Sequence, residues 1–222
     1  MSEIIGNGIF VGGGGGSTKW IIPVSVIQSS NIVSEFQVDV NFNVVSASNL
    51  TVHNLKVNFD RDFDSDQGIS VDLGENNHSC TVYAILKSRF TGGDPTMLAV
   101  AYAYTNGNQP AFFTRNSILY TTVYRQDEST GLSSQIYHVL ALSIDASTKT
   151  AKYYVDGSLV STKTYANSGR YVCFNGYRLP DYPNIAGKEG SIMYGSVVDG
   201  VESDSAIIAN MQRLMSEYGI TA

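Results

Sequence analysis

Alternation of apolar and polar residues runs through most of the chain after Trp20, and this period of two constrains the fold more than any other feature. An early segment has an apolar residue at every second position: Phe36, Val38, Val40 and Phe42. Comparable segments occupy residues 55–63, 69–73, 81–87, 97–104, 118–125, 137–145 and 151–155. Successive side chains of a strand point to opposite faces, so each segment has one face to bury. Short loops rich in Gly, Asn and Ser separate them, and this pattern predicts an all-β fold, a sandwich of two antiparallel sheets.

A single helix is predicted at the end of the chain, over residues 203–219. Its apolar residues follow a period of 3.6: Ile207, Ile208, Met211, Leu214, Met215 and Tyr218. Ser203 or Asp204 is a suitable N-cap, and Gly219 stands where a C-terminal glycine belongs. The apolar stripe predicts a helix packed as a lid on one sheet, with partner binding as the alternative.

An unbroken run of glycines, residues 12–16, follows the first short segment. Glycine loses more conformational entropy in a helix or strand than other residues, which favours a flexible hinge here. We therefore predict two parts: an N-terminal attachment peptide with its glycine tether over residues 1–18, and a β-sandwich over residues 19–222. An engineered or merely disordered tail is the alternative for the first part.

Charge argues against nucleic-acid binding. The chain has 14 Lys and Arg against 20 Asp and Glu, a net charge of −6, whereas a nucleic-acid binder needs a basic face. Charged residues are only 15%, while Ser, Thr and Asn together make 57 of 222 residues, so uncharged polar residues replace charges at the surface. The 43% hydrophobic content supports a buried core and excludes a disordered chain.

The two cysteines, Cys80 and Cys173, are far apart in the chain and have no clustered histidines, so a zinc site is not expected. We predict two buried thiols, with a single disulfide as the alternative. The first residues lack the basic and apolar regions of a secretory signal, and no apolar run approaches the ~18 residues that span a bilayer. We therefore expect synthesis in a cytosol without membrane insertion.

A distinctive hairpin is predicted over residues 137–160. Its first arm reads Tyr137-His138-Val139-Leu140-Ala141-Leu142-Ser143-Ile144-Asp145, and its second arm contains Tyr153-Tyr154-Val155-Asp156-Gly157. Asp156-Gly157 is a turn dipeptide that adopts positive φ. This hairpin resembles the central one of concanavalin A-like and laminin-G-like jelly rolls, with Tyr137 in place of the usual Trp.

Two weaker similarities to the same family extend the resemblance over roughly residues 50–220. The segment from Cys80 to Lys87 resembles a family strand, with Ile85 at a position where the family has Trp. The segment from Ser203 to Ala209 resembles the entry to the family's helix. The resemblance implies a concanavalin A-like jelly roll with a short C-terminal helix.

The sequence lacks the catalytic patterns expected of an enzyme with this fold. Glycoside hydrolases of this fold have an E-x-D-x-x-E strand whose carboxylates act as nucleophile and acid, and no such string occurs. There is also no G-x-S-x-G and no H-E-x-x-H, and the glycine run lacks the Lys of a P-loop. We therefore expect a non-enzymatic protein with no catalytic residues.

An acidic run places a carboxylate at every second position: Asp60, Asp62, Asp64 and Asp66. Gln67 and Leu73 stand where a calcium-binding EF-hand loop needs its turn glycine and its bidentate Glu, which excludes that motif. We predict no cofactor and interpret the run as a solvated strand edge that discourages aggregation. A looser calcium site, of the kind that laminin-G-like domains have at a loop rim, is the alternative.

Fourteen tyrosines suggest sugar binding, because tyrosine combines a flat apolar face with a hydroxyl group. Most tyrosines of a sandwich are packed in its core. The candidates in an exposed loop are Tyr177, Arg178, Asp181 and Tyr182, and we predict a carbohydrate site there.

These observations favour a non-enzymatic structural or adhesive protein of a bacteriophage-type virion, such as a capsid decoration, fibre or tail component. Its lectin-like sandwich would contact a cell-surface glycan, and its N-terminal segment would bind other virion proteins. A homo-oligomer is expected. A cellular carbohydrate-binding module is the alternative function.

Overall fold

The structure is a computed structural model of the 222-residue chain. It describes residues 4–5, 8–10, 20–21, 26–38, 44–46, 50–53, 68–74, 77–88, 97–103, 110–123, 126–166, 169–174 and 190–221. The strands are β1 (Ile4–Ile5), β2 (Gly8–Phe10), β3 (Trp20–Ile21), β4 (Ile32–Val38), β5 (Val44–Ser46), β6 (Leu50–His53), β7 (Gly68–Asp72), β8 (Cys80–Ser88), β9 (Met97–Ala103), β10 (Ala111–Arg115), β11 (Ile118–Thr122), β12 (Glu128–Ser133), β13 (His138–Asp145), β14 (Thr150–Val155), β15 (Ser158–Thr164), β16 (Tyr171–Phe174) and β17 (Gly190–Asp199). The helix α1 spans Asp204–Tyr218.

Two seven-stranded sheets form the sandwich. Sheet I has the order β12-β11-β10-β9-β16-β7-β6, and sheet II has the order β15-β14-β13-β8-β17-β4-β5. Neighbouring strands in both sheets run antiparallel. The prediction of a two-sheet antiparallel sandwich is confirmed.

A third sheet, with the order β1-β2-β3, lies at the N-terminus and pairs Phe10 with Trp20. The glycine run falls between these two residues and lies outside the described residues, so the N-terminal tether stays a prediction. No helix in the described parts of the chain is long and apolar enough to cross a bilayer.

Alternation along β8 shows how the sequence period builds the core. Val82, Ala84 and Leu86 belong to the apolar cluster between the sheets, whereas Tyr83 and Ile85 belong to a second cluster on the outer face of sheet II. All five side chains are buried, because one face packs on sheet I and the other is covered by α1.

The C-terminal helix packs on the outer face of sheet II, as the apolar stripe predicted. Ile207, Met211 and Leu214 are fully buried in the second cluster. Ser203 is the N-cap, since its side chain accepts a hydrogen bond from the backbone N–H of Ala206, and Gly219 ends the helix with φ 66°. Both predicted caps are confirmed, with Ser203 rather than Asp204 in the first role.

The two tyrosines of β14 face opposite sides of sheet II. Tyr153 lies in the core between the sheets and Tyr154 lies under α1, and both are fully buried. The following turn has φ 48° at Asp156 and 80° at Gly157, which confirms the predicted hairpin dipeptide.

Cys80 and Cys173 are buried and not bridged to each other. Burial raises the pKa of the Cys173 thiol to about 12, so it stays protonated at physiological pH. The prediction of two buried thiols is confirmed, and the disulfide alternative is wrong in this structure.

The structure differs from the sequence expectation in β4. Glu35 and Gln37 occupy the polar positions of the alternating segment, yet both are buried. The Tyr194 hydroxyl donates a 2.6 Å hydrogen bond to Glu35 Oε1, which compensates part of the cost of burying that carboxyl group. The continuation of this segment, residues 39–43, lies outside the described residues.

Candidate functional site

The predicted carbohydrate-contacting residues, Tyr177, Arg178, Asp181 and Tyr182, lie outside the described residues. The acidic run at residues 60–66 does so as well. The strands that flank both segments are described, however, and their pairing locates the ends from which the segments start.

These strand ends all lie at one end of the sandwich. His53, which precedes the acidic segment, pairs with Gly68, which follows it. Phe174, which precedes the predicted carbohydrate segment, pairs with Ile69. Gly190 follows that segment and pairs with Ser88. The segments that the sequence singled out for calcium and for sugar therefore start and finish at the same end.

We call this end the hairpin end, because it also holds the β10–β11 turn at Asn116 and Ser117 and the β14–β15 turn at Asp156 and Gly157. At this end the chain crosses from sheet I to sheet II between β12 and β13. The hairpin end is thus where described turns from both sheets come together.

His138 connects the two sheets at this crossover through hydrogen bonds. Its Nδ1 lies 2.6 Å from Asp156 Oδ2, and its Nε2 lies 2.7 Å from the carbonyl oxygen of Ser133. Both partners are hydrogen-bond acceptors, so the buried imidazole satisfies them when it carries both ring protons. Burial, the largest single effect, lowers the pKa of His138, but its hydrogen bonds to Asp156 and Ser133 and the charge of Asp156 together raise it above the usual value.

An aromatic cluster lies beside the hairpin end on the outer face of sheet I. Phe113 and Tyr120 pair directly across β10 and β11, and their rings stack with centroids 5.1 Å apart. The Arg115 guanidinium lies over both rings, with Cζ 5.3 Å from the Phe113 centroid and 5.5 Å from the Tyr120 centroid. Such contacts combine cation–π attraction with apolar packing.

The carboxylate of Asp127 binds the Arg115 side chain of this cluster. Arg115 Nη2 donates to Asp127 Oδ2 at 2.9 Å, and the Thr122 hydroxyl donates to Asp127 Oδ1 at 2.7 Å. Arg115 Nε is buried without a hydrogen-bond partner among the described residues. Tyr120 is half-buried. We call Phe113, Arg115, Tyr120 and Asp127 the arginine cluster.

The sequence patterns did not identify Phe113, Arg115 and Asp127 as candidate site residues. The signal that identifies Phe113 and Arg115 is the pattern Phe113-x-Arg115 before a two-residue turn, with Tyr120 as the third residue after that turn. In a two-residue hairpin this pattern puts all three side chains on one face.

The opposite end of the sandwich holds ion pairs between described residues. Arg170 donates to both carboxylate oxygens of Asp72 at 2.7 Å, and His78 Nε2 lies 2.7 Å from Asp199 Oδ1. The Arg170 contact holds the pKa of Asp72 below its usual value. Within the described ranges, no group of three or more His, Cys, Asp and Glu side chains is arranged to hold a metal ion.

Comparisons with known proteins identify the fold and no more. No protein-family model and no curated protein matches the sequence. Similar solved structures include the binding domain of Paraclostridial Mosquitocidal Protein 1, with a TM-score of 0.58 and 12% identity over 83% of this chain and 52% of that chain. Another is Trypanosoma rangeli sialidase in complex with sialic acid, with a TM-score of 0.61 and 12% identity over 86% of this chain and 34% of that chain.

A third similar structure is the botulinum neurotoxin serotype D ligand binding domain in complex with N-acetylneuraminic acid. Its TM-score is 0.55, with 13% identity over 82% of this chain and 50% of that chain. The chain therefore spans about half of the binding domains and a third of the sialidase. At these identities the likeness establishes a shared β-sandwich fold.

Proposed function

We propose that this chain is a non-enzymatic glycan-binding β-sandwich whose hairpin end contacts the sugar. The observation that carries the proposal is the convergence of strand ends that flank residues 54–67 and 175–189. The second segment contains the predicted contacts Tyr177, Arg178, Asp181 and Tyr182. The similar structures described as complexes with sialic acid and N-acetylneuraminic acid support a glycan as the ligand class.

The covering of sheet II supports the same location. The outer face of that sheet is occupied by α1, whose apolar residues are buried against it. A ligand at the hairpin end avoids displacing the helix. Loops at the end of a rigid sandwich also suit recognition, because they vary without disturbing the core.

A glycan array tests this function directly. The full chain is screened with calcium and again with EDTA, and we expect binding in both buffers. Loss of binding in EDTA would support a calcium site at the acidic run, residues 60–66, against our prediction of no cofactor. Absence of binding in both buffers contradicts the function and favours a purely structural protein.

The non-enzymatic part of the proposal has its own test. It is supported by the absence of the E-x-D-x-x-E pattern from the sequence. Incubation with sialylated and neutral oligosaccharides, followed by chromatography, is expected to release no sugar. Release of a monosaccharide would contradict it.

We further propose that the chain belongs to a virion, where residues 1–18 attach the sandwich to other virion proteins. The low proportion of charged residues and the glycine run support this role. Deletion of residues 1–18 is expected to abolish incorporation into particles while glycan binding persists. Unchanged incorporation would contradict the attachment role, and failure of the intact chain to enter particles would favour a cellular carbohydrate-binding module.

A further inference from the structure

The arginine cluster has hydrogen-bonding groups that the fold leaves unused. An arginine side chain carries five N–H donors. Among the described residues, Asp127 Oδ2 is the acceptor that the structure gives Arg115, and the buried Nε has none. Buried polar groups are nearly always paired, so an unpaired Nε on a charged side chain calls for an explanation.

Tyr120 adds a second unused group. Its contacts with described residues are the stacking on Phe113 and the approach of Arg115, both of which involve the ring. The half-buried tyrosine thus leaves part of its surface exposed beside the guanidinium. A sugar ring has an apolar C–H face, which packs on an aromatic ring, and hydroxyl groups, which form hydrogen bonds with donors such as a guanidinium.

The charge of the cluster decides which sugars fit. Asp127 offsets Arg115 at 2.9 Å, and Arg115 and Asp127 are similarly exposed, at 28% and 27% of their side chains. A carboxylate ligand would be attracted by the guanidinium and repelled by the neighbouring carboxylate. A neutral hydroxyl accepts a hydrogen bond from Arg115 and donates one to Asp127, so it gains from both groups.

We propose that the arginine cluster is a binding site for an uncharged pyranose, which packs its C–H face on Tyr120 and hydrogen-bonds to Arg115 and Asp127. The inference rests on the proposed glycan-binding function and names a site and a ligand class for it. Phe113 supports Tyr120 from behind, since it is buried and stacked on that ring. Arg115 directly precedes the β10–β11 turn at the hairpin end, and Asp127 lies beside Thr122 at the other end of β11.

The test compares the full wild-type chain with four variants on an array of neutral and sialylated oligosaccharides, followed by titration calorimetry with the best neutral glycan. Tyr120→Ala removes the aromatic surface, Tyr120→Phe removes only the hydroxyl, and Arg115→Met removes the donors. Lys152→Met is the matched control, because it also breaks an ion pair with a carboxylate, at 2.7 Å from Asp204, on the outer face of sheet II. Thermal melting of each variant checks folding.

We expect Tyr120→Ala and Arg115→Met to weaken binding of the neutral glycan about tenfold, as the loss of an aromatic contact or a charged donor does. Tyr120→Phe should weaken binding less, and it keeps the test valid if the alanine variant does not fold. Lys152→Met should bind like the wild type. Raising the salt concentration should leave binding unchanged, because the ligand is neutral.

Three outcomes separate the claims. If the wild type binds no glycan, the proposed function fails and this site fails with it. If the wild type binds but Arg115→Met and Tyr120→Phe bind like the Lys152→Met control, the function stands and this site is wrong. If binding depends on Arg115 but is confined to sialylated glycans and weakens with salt, the uncharged ligand class is wrong.

Discussion

The tyrosines on the outer faces of the two sheets differ in burial and in hydrogen bonding. On sheet II, Tyr83, Tyr154 and Tyr194 are fully buried in the cluster that includes α1, and each hydroxyl donates to a carboxylate. The acceptors are Glu202, Asp204 and Glu35. On sheet I, Tyr120 is half-buried and its hydroxyl has no hydrogen bond to the described residues.

The difference follows from what covers each face. A hydroxyl under a helix loses its water, so an acceptor has to be supplied by the protein. A hydroxyl on a partly open face keeps its water and stays available to a ligand. Tyr218 of α1 departs from this pattern, because its hydroxyl is buried without a partner among the described residues, while its ring centroid lies 6.0 Å from that of Tyr194.

The largest expected effect on stability comes from removing an apolar side chain through which α1 packs on sheet II. Leu214→Ala removes a fully buried side chain of α1 and should lower the free energy of unfolding by about 2–5 kcal/mol. Urea denaturation measures this loss. Ser216→Ala, an exposed change on the same helix, should stay within about 0.5 kcal/mol. Glycan binding by folded Leu214→Ala should match the wild type, and weakened binding would place the site on the helix face instead.

The comparison between tyrosines is tested by the same substitution on each face. Tyr194→Phe removes a buried hydrogen bond to Glu35 and should cost about 1–3 kcal/mol of stability. Tyr120→Phe removes a hydroxyl without a partner among the described residues and should change stability by less than about 0.5 kcal/mol. If chemical denaturation shows equal losses of stability for Tyr194→Phe and Tyr120→Phe, the distinction between the two faces is contradicted.

The N-cap of α1 makes a smaller contribution to the stability of the helix that covers sheet II. Ser203→Ala removes the acceptor for the backbone N–H of Ala206 and should cost about 1 kcal/mol. Ser203→Asp keeps an acceptor at this position and should retain most of the stability. Thermal melting of the two variants distinguishes capping from a general effect of changing Ser203.

The smallest expected effect appears as a pH dependence at the crossover between the sheets. Because the pKa of His138 is raised in the folded protein, its contribution to stability is fully present below about pH 6.5 and is lost as the pH rises through the folded pKa. Urea denaturation across neutral and alkaline pH should show this loss in the wild type and not in His138→Gln. Asp156→Asn should reduce this loss of stability. If the free energy of unfolding depends on pH in the same way in the wild type and both variants, a charged His138 at the crossover is contradicted.

The hairpin of β13 and β14 and the helix α1 were predictable because their signals are local. Alternation over residues 137–145 and the Asp156-Gly157 dipeptide place the strands and the turn, and the cap residues bound the helix. Several other strands were missed, including β10, β12 and β17. The burial pattern of β12 is mostly exposed because it is an edge strand, which leaves little apolar signal in its sequence.

The arginine cluster was not predictable as a unit. Arg115 and Asp127 are twelve residues apart, and their contact depends on a hairpin and a following turn. The buried positions of Glu35 and Gln37 were also unexpected, since polar residues on one face of a strand normally indicate solvent. The hydrogen bond from the Tyr194 hydroxyl on a neighbouring strand offsets part of the cost of burying Glu35.

The sequence by itself determined the two-sheet architecture, the C-terminal helix, its caps and the two buried thiols, because periodicity, capping and turn preferences act over a few neighbouring residues. Tertiary structure alone decided which tyrosines are enclosed and which remain open, and which strand ends meet at the hairpin end. These features depend on contacts between residues far apart in the chain. For such residues, burial and hydrogen bonding are set by the packing of one element on another.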